Sequence, residues 1–561
     1  MIVILAFFLI ALSVILLLYA TRAKSDFPYP PSPPADPVIG HARFISTCSR
    51  DDAYHALAQK YGEIVYLNVL GKSIVLLNSE KVADDLLDKR STIYSDRPRL
   101  PLVKMMGSED ALGFMAYGNK FFKMRKILHD HLASKKVVVF EDIQASQSHV
   151  LLRNLMSSPE RFMDHAKRYA TAVVLQIAYG HEITSDEDPF LQNAHALDRL
   201  FARFVNAGSS AVDFFPALRH LPSWFPGAWF VRFAKGNANH IVPHHLGILN
   251  PFIEARVVIE ENRDRGFVVV QEDMKTGNAP LSFVSLHLEE LIREKKDSPK
   301  ELHRLKWAAL QLYGAEGFPA GAETTCGSLE VFFLAMVLYP EAQHKAHREL
   351  DSVLGHGQLP TFGDRDSLPF LECLVQEVLS RTFWYSQSLF ASYIDPALTT
   401  RLKPGALHRL MQDDIYNGMF IPKGSIVVPN IGYMMRDEKV YHESNIFKPE
   451  RFLPRPDGCG EPLPRATFGF GRRICPGRHL AVSELWIAIA SILAVFDILP
   501  VQDDRGNDLP PKEEFHHGLT RIASEVGDYQ STESTGDLHS AGIWSYGLDA
   551  MNQAIVVLST P

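Results

Sequence analysis

The chain has 561 residues, a formal net charge of −8 at pH 7 and 46% hydrophobic residues. This length is compatible with one large domain that buries a sizeable core, because no linker is visible in the middle of the sequence. The acidic balance gives no reason to expect a nucleic-acid partner. The five cysteines are scattered and contain no Cys-x-x-Cys pair, which argues against a disulfide framework or a structural zinc site.

Residues 1–21 are apolar, with no charged side chain before Arg22. About 20 apolar residues suffice to cross a bilayer as a helix. Arg22 and Lys24 follow at once, so the positive-inside rule predicts a single-pass anchor that leaves the rest of the chain in the cytosol. A cleaved signal peptide is the alternative, although such a peptide carries basic residues before a shorter apolar run. Residues 22–40 are rich in proline and predict a stiff hinge.

Residues 41–521 are predicted to form a mainly helical domain with small β-sheets. Two β-branched runs, residues 64–69 and 73–77, are separated by a turn and predict a hairpin. Ser79 is placed to cap a short helix after it. Helical periodicity then dominates to about residue 380, and short strands such as residues 424–429 return near the end of the domain.

Residues 468–477 read Phe-Gly-Phe-Gly-Arg-Arg-Ile-Cys-Pro-Gly. The pattern Phe-x-x-Gly-x-Arg-x-Cys-x-Gly has five fixed positions, and a chance match is on the order of 10⁻⁴ per chain. In such a loop glycines allow a tight turn, and backbone amides can donate to the thiolate of Cys475. A helix predicted over residues 479–494 directs its positive end toward the sulfur. A buried, unreactive cysteine in a glycine-rich turn is the alternative.

This loop resembles the haem-binding loop of the cytochrome P450 family, and the resemblance extends from the N-terminal segment to about Arg521. It implies the cytochrome P450 fold, haem b as cofactor, and Cys475 as the thiolate ligand of the iron, which favours O–O cleavage. Within the loop, Phe468 would shield the proximal side of the iron and Arg473 would bind a haem propionate. The cofactor-binding residues implied besides the cysteine are Phe468, Gly471, Arg473, Gly477, Arg125 and His408.

The hexapeptide Ala320-Gly321-Ala322-Glu323-Thr324-Thr325 resembles the oxygen-binding segment of the same family. The resemblance implies that Glu323 and Thr324 are catalytic and deliver protons to reduced oxygen. It also implies that the small Gly321 leaves room beside the iron. Pro319 departs from the expected pattern, because a proline inside a helix costs about 3 kcal/mol.

Phe121 and Arg125 resemble the Trp-x-x-x-Arg pair of the helix beside the haem, with phenylalanine in place of tryptophan. The phenylalanine removes the indole N–H, which is a hydrogen-bond donor. Arg125 either binds a propionate or is an ordinary solvated arginine. The sequence leaves both readings open.

Two further motifs resemble parts of a buried Glu-Arg-Arg network. Pro449-Glu450-Arg451-Phe452 matches the loop that supplies one arginine, but the Glu-x-x-Arg motif is broken, because Arg381 follows Glu377 by four positions. We expect that Arg381, about 100° further round the helix than the usual arginine, does not substitute for it.

Removing residues 380–400 would join Glu377 to Arg401 with the spacing typical of the family. We therefore predict that 380–400 is a retained intron or a gene-model error, the alternative being a surface insertion that loops out of the helix. Residues 522–561 form an atypical tail without a structural pattern, and they resemble such an intrusion, as does the stretch 241–267.

The family resemblance implies a monooxygenase that inserts one oxygen atom from O2 into an apolar small molecule, such as a fungal terpenoid or polyketide. NADPH-cytochrome P450 reductase would supply electrons, docking on basic residues such as Lys126, Arg472 and Arg478, and the expected location is the endoplasmic reticulum membrane. Residues 94–117 and 201–230 are candidates for substrate contact. The alternatives are a haem-thiolate isomerase or dehydratase that needs no oxygen, and a misspliced or degenerate haem protein without activity.

Overall fold

The computed structural model describes residues 26–37, 39–43, 50–105, 108–185, 187–192, 211–222, 264–313, 321–355, 357–386, 407–502, 508–509 and 554–557. Several features predicted from the sequence lie outside these residues. They are the membrane anchor, Pro319, Arg401, and most of the proposed insertion and of the tail.

The described part of the chain is mainly helical. Its longer helices are α1 (Arg50–Tyr61), α2 (Asn119–Leu132), α3 (Glu141–Ser157), α4 (Phe162–Tyr179), α5 (Phe283–Arg293), α6 (Pro299–Tyr313), α7 (Gly321–Leu338), α8 (Pro340–Leu354), α9 (Pro369–Ser386) and α10 (Arg478–Leu493). Shorter α-helical turns lie at Glu80–Ala83, Ser91–Tyr94, Pro101–Met105, Ser134–Val137, Ala211–Phe214 and Ile431–Met434.

Small sheets accompany the helices. The strands are β1 (Ile64–Val69), β2 (Lys72–Leu77), β3 (His408–Arg409), β4 (Asp414–Tyr416), β5 (Met419–Ile421), β6 (Ile426–Pro429), β7 (Asp497–Gln502), β8 (Asp508–Leu509) and β9 (Ala554–Val557). One sheet has four strands in the order β1-β2-β6-β3, and it pairs β2 with β6 in parallel. The predicted hairpin of β1 and β2 is confirmed, and strands from distant parts of the sequence share this sheet.

A capped helix follows the hairpin, as predicted. Ser79 Oγ accepts a hydrogen bond from the backbone N–H of Val82 at 3.3 Å, which satisfies one of the free donors at the start of the helix. The helix Glu80–Ala83 then widens into a π-helical segment, Asp84–Lys89. This segment brings the backbone of Leu87 against the cysteine loop described below.

Part of the proline-rich hinge lies against the sheets. The carbonyl of Pro31 accepts from the N–H of Tyr66 at 2.9 Å, and the carbonyl of Pro28 accepts from the N–H of Phe420 at 2.7 Å. The ring of Tyr29 lies 4.7 Å from that of Tyr66. Residues next to the predicted anchor are therefore fixed to the folded body by backbone hydrogen bonds and ring contacts.

The core lies where α4, α7 and α10 pack against one another. Phe162 and Phe333 meet with ring centroids 4.9 Å apart, and the fully buried Trp486 lies 5.9 Å from the ring of Phe362. Among the residues that the structure describes, α7 alone has the length and composition to cross a membrane, but 61% of it lies inside the protein. Its apolar surface is accounted for by this core packing.

Candidate active site

Cys475 lies in a tight loop between a short turn, Gly471–Arg473, and the first residue of α10. Its backbone N–H donates to the carbonyl of Phe468 at 2.8 Å, which closes the loop. Burial raises the pKa of the Cys475 thiol, while the backbone N–H of Gly477 and the charges of Arg125 and Arg478 act to lower it. The sulfur thus has donors and positive charge around it that favour a thiolate once a metal is bound.

Position 471 has to be glycine because another part of the backbone lies directly against it. Its φ of +53° belongs to the left-handed region, and a Cβ at this position would lie 2.0 Å from the carbonyl oxygen of Leu87. Any side chain would therefore separate the cysteine loop from the π-helical segment. Gly477, by contrast, has a φ of −90°. Its carbonyl accepts from the N–H of Ala481 at 2.9 Å in the first turn of α10.

Arg473 is buried, and three backbone carbonyls hold it. Its guanidinium donates to Ser95 O at 2.8 Å, Met115 O at 2.7 Å and Leu112 O at 3.1 Å. The guanidinium carbon also lies 3.8 Å from the ring centroid of Phe121, the residue that replaces the expected tryptophan. An arginine has five N–H donors, so these contacts leave two for another acceptor.

Arg97 is a buried cation that the sequence reasoning missed. It donates to Gly113 O at 2.8 Å and to Leu407 O at 2.5 Å. Burial lowers the pKa of Arg97 to about 10, and burial together with the charge of Arg97 lowers the pKa of Arg473 to about 8. Arg97 belongs to residues 94–117, for which only substrate contact was predicted. No motif distinguished this arginine from a solvated one.

His408 in β3 belongs to the same cluster. It is 2% exposed, and its Nδ1 lies 2.9 Å from the carbonyl oxygen of Tyr94, so Nδ1 is the nitrogen that carries the proton. Burial and the charges of Arg97 and Arg473 hold the pKa of His408 well below its usual value. The structure thus brings together Arg473 and His408, both predicted from the sequence, and adds Arg97.

Residues 321–325 of the predicted oxygen-binding segment lie at the start of α7. Thr324 is exposed and Glu323 is half-buried, whereas Thr325 is buried and its hydroxyl lies 3.4 Å from Glu484 Oε2. The two adjacent threonines therefore face different surroundings. The hydroxyl of Ser328 donates to the carbonyl of Thr324 at 2.9 Å, one turn further along the helix.

Gly321 lies at a close contact between helices. A Cβ on this residue would lie 2.9 Å from Val174 Cγ2 and 3.0 Å from the carbonyl oxygen of Leu312. The missing side chain lets α7 approach α4 closely. Its role in leaving room beside the iron stays a prediction.

The prediction that Arg381 cannot replace the usual arginine is wrong. Arg381 Nη2 donates to Glu377 Oε1 at 2.9 Å, and Arg451 Nε lies 3.1 Å from Glu377 Oε2. Glu377 is 1% exposed, so one buried carboxylate serves two arginines. The reason is geometric, because residues four apart share a helix face as residues three apart do. A long arginine side chain covers the remaining difference in angle.

The basic residues near the loop differ in their surroundings. Arg125 and Arg478, with His129 and His479, line a cleft of about 240 Å³ beside Pro476. Burial lowers the pKa of Arg125, while the neighbouring Cys475 acts in the opposite direction. Arg125 is partly buried beside the cysteine loop, and its binding of a propionate stays a prediction.

Two other predicted docking residues have partners of their own. Lys126 is exposed and forms an ion pair with Asp130 one turn away on α2. Arg472 donates to the hydroxyl of Tyr117. Its guanidinium carbon lies 5.8 Å from the centroid of the same ring.

Comparison with known proteins identifies the fold. The family model described as Cytochrome P450 matches residues 30–381 and 399–524. The chain belongs to the cytochrome P450 family. It is 36% identical to cytochrome P450 monooxygenase claR of Ampulloclitocybe clavipes over 505 residues, which cover 89% of this chain and 85% of that protein. It is 36% identical to cytochrome P450 monooxygenase 136 of Postia placenta over 504 residues, covering 89% and 87% respectively.

A third relative, cytochrome P450 monooxygenase COX2 of Coprinopsis cinerea, is 35% identical over 496 residues, which cover 87% of this chain and 86% of that protein.

The chain described here is thus a cytochrome P450 monooxygenase, and its cofactor is a haem whose iron has a cysteine ligand. It uses O2, a reductase as redox partner and a small-molecule substrate.

The side chains that the structure describes fit a haem. The group has two carboxylates and needs one axial donor from the protein. Arg97, Arg473 and His408 are buried close enough together that each arginine lowers the pKa of the histidine, and two carboxylates would offset this repulsion. Cys475 supplies the sulfur that would bind the iron, and the backbone N–H of Gly477 is directed to this sulfur.

Proposed function

We propose that this cytochrome P450 inserts one oxygen atom from O2 into an apolar small molecule, with Cys475 as the thiolate ligand of the haem iron. The observation that carries this proposal is the loop of Cys475, which the Phe468 carbonyl closes and the start of α10 supports. Two other cysteines, Cys326 and Cys373, are buried within the helices α7 and α9. They have no comparable loop, and they suit an inert, structural role.

The haem propionates are assigned to Arg473, Arg97 and His408, with Arg125 as a further donor. Two N–H groups of Arg473 remain after its three carbonyl contacts, and these can donate to a carboxylate. A nearby carboxylate would raise the pKa of His408, since it favours the protonated imidazole. Protonated His408 could then donate from Nε2 while Nδ1 keeps its contact with Tyr94 O.

Proton delivery is assigned to Glu323 and Thr324. Both lie in the first turn of α7 and are more exposed than Thr325, which is turned toward Glu484. A hydroxyl and a carboxyl one residue apart can hold and pass a proton toward reduced oxygen. The haem, once bound, supplies the activation of O2, and these side chains control the access of protons to it.

The substrate is proposed to be a fungal secondary metabolite such as a terpenoid or polyketide. Within residues 94–117, the apolar side chains of Ala111, Leu112 and Met115 are buried. Within residues 201–230, Phe215 is 50% exposed, which suits contact with an apolar molecule or with lipid. Fungal members of the family are typically membrane-bound, which supports a single-pass anchor in the endoplasmic reticulum membrane.

The redox partner is proposed to be NADPH-cytochrome P450 reductase. The cleft next to Pro476 carries Arg125 and Arg478, and Lys126 lies exposed on the same helix as Arg125. Positive charge close to the cysteine loop would attract an acidic partner and increase the rate of association. Electron transfer should therefore slow as ionic strength rises.

Residues 380–400 are proposed to be an insertion relative to the family, retained from an intron or a wrong gene model. The family matches end at residue 381 and resume at 399, which supports this reading. In the chain as it stands, Arg381 occupies the place of the missing arginine.

Sequencing of the mature message tests the origin of this segment, since a cDNA that retains codons 380–400 would show that the segment is genuine. Deleting 380–400 tests the structure. Arg401 would then follow Glu377 at the usual spacing, and the deletion variant should bind haem at least as well.

The test of the function uses the full chain expressed with the reductase. The wild type should show the reduced carbon-monoxide band typical of thiolate ligation, together with substrate oxidation that requires NADPH and O2. Cys475→Ser should lose both, and Cys459→Ser, a change at a partly exposed loop cysteine, should lose neither. A thiolate band that survives in Cys475→Ser would refute the assignment of the ligand. Turnover without O2 would favour an isomerase or dehydratase, and a wild type without haem would favour a degenerate protein.

A further inference from the structure

We propose that His131, His287 and Glu290 form a binding site for a divalent transition-metal cation of the zinc type. His131 lies at the end of α2, and the other two residues lie one turn apart on α5. The site is separate from the cysteine loop and has no part in the proposed oxygen chemistry. A bound cation would join two helices that are far apart in sequence.

The distances match the face of a tetrahedral site. His131 Nε2 lies 3.0 Å from His287 Nδ1, and Glu290 Oε2 lies 3.6 Å from the same nitrogen. The three donor atoms all lie within 4.8 Å of one another. Zinc binds nitrogen and oxygen at about 2.0–2.2 Å, so neighbouring donors in a tetrahedral site lie roughly 3.3 Å apart. The two edges at His287 differ from this value by about 0.3 Å, and the third edge, between His131 and Glu290, is at most 4.8 Å, so the partly exposed Glu290 side chain would move inward to complete the site.

Hydrogen bonding satisfies only part of this arrangement. Both His131 and Glu290 face Nδ1 of His287. A neutral imidazole nitrogen is either a donor or an acceptor. If Nδ1 accepts from His131, its lone pair is directed at the negative carboxylate as well. If it donates to one of the two neighbours, the other receives no hydrogen bond from it, and the half-exposed Glu290 then depends on solvent. A cation at the centre would take a lone pair from each of the three groups.

The surroundings favour neutral imidazoles and allow the cation to enter. The side chain of His287 is 9% exposed, while that of Glu290 is 39% exposed and gives access from solvent. Burial and the neighbouring His287 lower the pKa of His131 to about 4, so its lone pair is available at neutral pH. Asp130 adds negative charge at the site, although it is paired with Lys126.

The site would stabilise the helix that carries the proposed haem contacts. α2 holds Phe121 and Arg125, and the ring of His131 already packs edge-on against Phe283 of α5 at 5.2 Å. Three protein ligands leave a fourth position for water, as in open zinc sites. Because binding requires the folded arrangement of both helices, the cation should raise the unfolding temperature.

The test measures zinc directly on the haem-loaded full chain. Protein freed of loosely bound metal with a chelator is equilibrated with micromolar Zn²⁺ and dialysed, and zinc and iron are then counted by elemental analysis. We expect about one zinc per haem, and a visible absorption of tetrahedral type when Co²⁺ replaces zinc. His287→Gln and Glu290→Gln should each weaken zinc binding about tenfold or more. His149→Gln, a change at an exposed histidine of α3, should leave binding unchanged.

Glu290→Gln is the safer variant, because this partly exposed side chain can be changed without opening the core. Its haem spectrum and unfolding temperature without zinc should equal those of the wild type, whereas the rise in unfolding temperature on adding zinc should disappear. The proposal is overturned if the wild type retains no zinc. It is also overturned if the variants bind zinc as tightly as the wild type does, which would indicate adventitious surface binding only.

Discussion

The guanidinium of Arg473 lies on the face of the Phe121 ring, 3.8 Å from its centroid. Phe121 is 1% exposed, so this contact is shielded from water. A cation–π interaction is strongest when the cation is desolvated in this way. The motif that Phe121 and Arg125 resemble has tryptophan in place of Phe121, so this chain keeps the aromatic face and lacks the indole donor. Arg473 is therefore positioned by one ring and three carbonyls of the protein itself.

Phe121→Ala should destabilise the protein and reduce its haem content, because it removes both a buried ring and the support of Arg473. A buried Phe→Ala change costs about 3–5 kcal/mol. Thermal unfolding and the ratio of haem to protein measure the two effects. Phe122→Ala, a change at the adjacent residue that is 43% exposed, is the control and should have little effect. Phe121→Trp should retain haem as well as the wild type or better, and a loss of haem in this variant would contradict the role given to the ring.

Arg381→Ala should lower the free energy of unfolding by about 3–5 kcal/mol, because it leaves Glu377 as a buried carboxylate with only Arg451 to pair it. Chemical denaturation followed by circular dichroism measures the loss. The matched change is Arg365→Ala, which removes an ion pair with the partly exposed Glu372 and should cost at most about 1 kcal/mol. Equal costs for the two variants would show that Arg381 has no part in a buried network.

Thr324→Ala should separate NADPH consumption from product formation. The variant should keep its haem spectrum and oxidise NADPH, but the product formed per NADPH should fall about tenfold or more, since a proton donor has been removed. Thr325→Ala provides the comparison, because that hydroxyl faces Glu484 at 3.4 Å. It should change stability by about 1 kcal/mol and leave the coupling intact. The assignment fails if Thr325→Ala impairs coupling while Thr324→Ala does not.

The titration of Glu330 should make the free energy of unfolding fall as the pH rises. Burial raises the pKa of Glu330 from 4.5 to about 8, so the folded protein holds a proton that the unfolded chain has released between these values. In this window the free energy of unfolding should fall with pH, by up to about 1.4 kcal/mol per unit. Glu330→Gln should match the wild type near pH 5 and be the more stable of the two near pH 8.

Denaturation at several pH values measures the Glu330 effect. Glu289→Gln, a change at an exposed glutamate of α5, should leave the pH dependence of the wild type unaltered. Parallel pH profiles for wild type and Glu330→Gln would show that the buried carboxyl does not control the slope.

The sequence could predict what short-range chemistry decides. A turn between two β-branched runs predicted the hairpin of β1 and β2, and Ser79 predicted the cap that follows it, because both depend on neighbouring residues. The loop around Cys475 was predicted for the same reason. Its glycines, its arginine and its cysteine all lie within ten consecutive residues, and their spacing already implied the family and its cofactor.

Tertiary structure decided the contacts between residues far apart in sequence. The spacing of residues along a helix could not show that the long side chain of Arg381 reaches Glu377. It also could not show that Gly321 lies against Val174 of another helix. No local pattern marked Arg97, because its burial depends on Gly113 and on Leu407, which lies 310 residues away. Motifs record local geometry, whereas burial and charge pairing are set only when distant segments pack together.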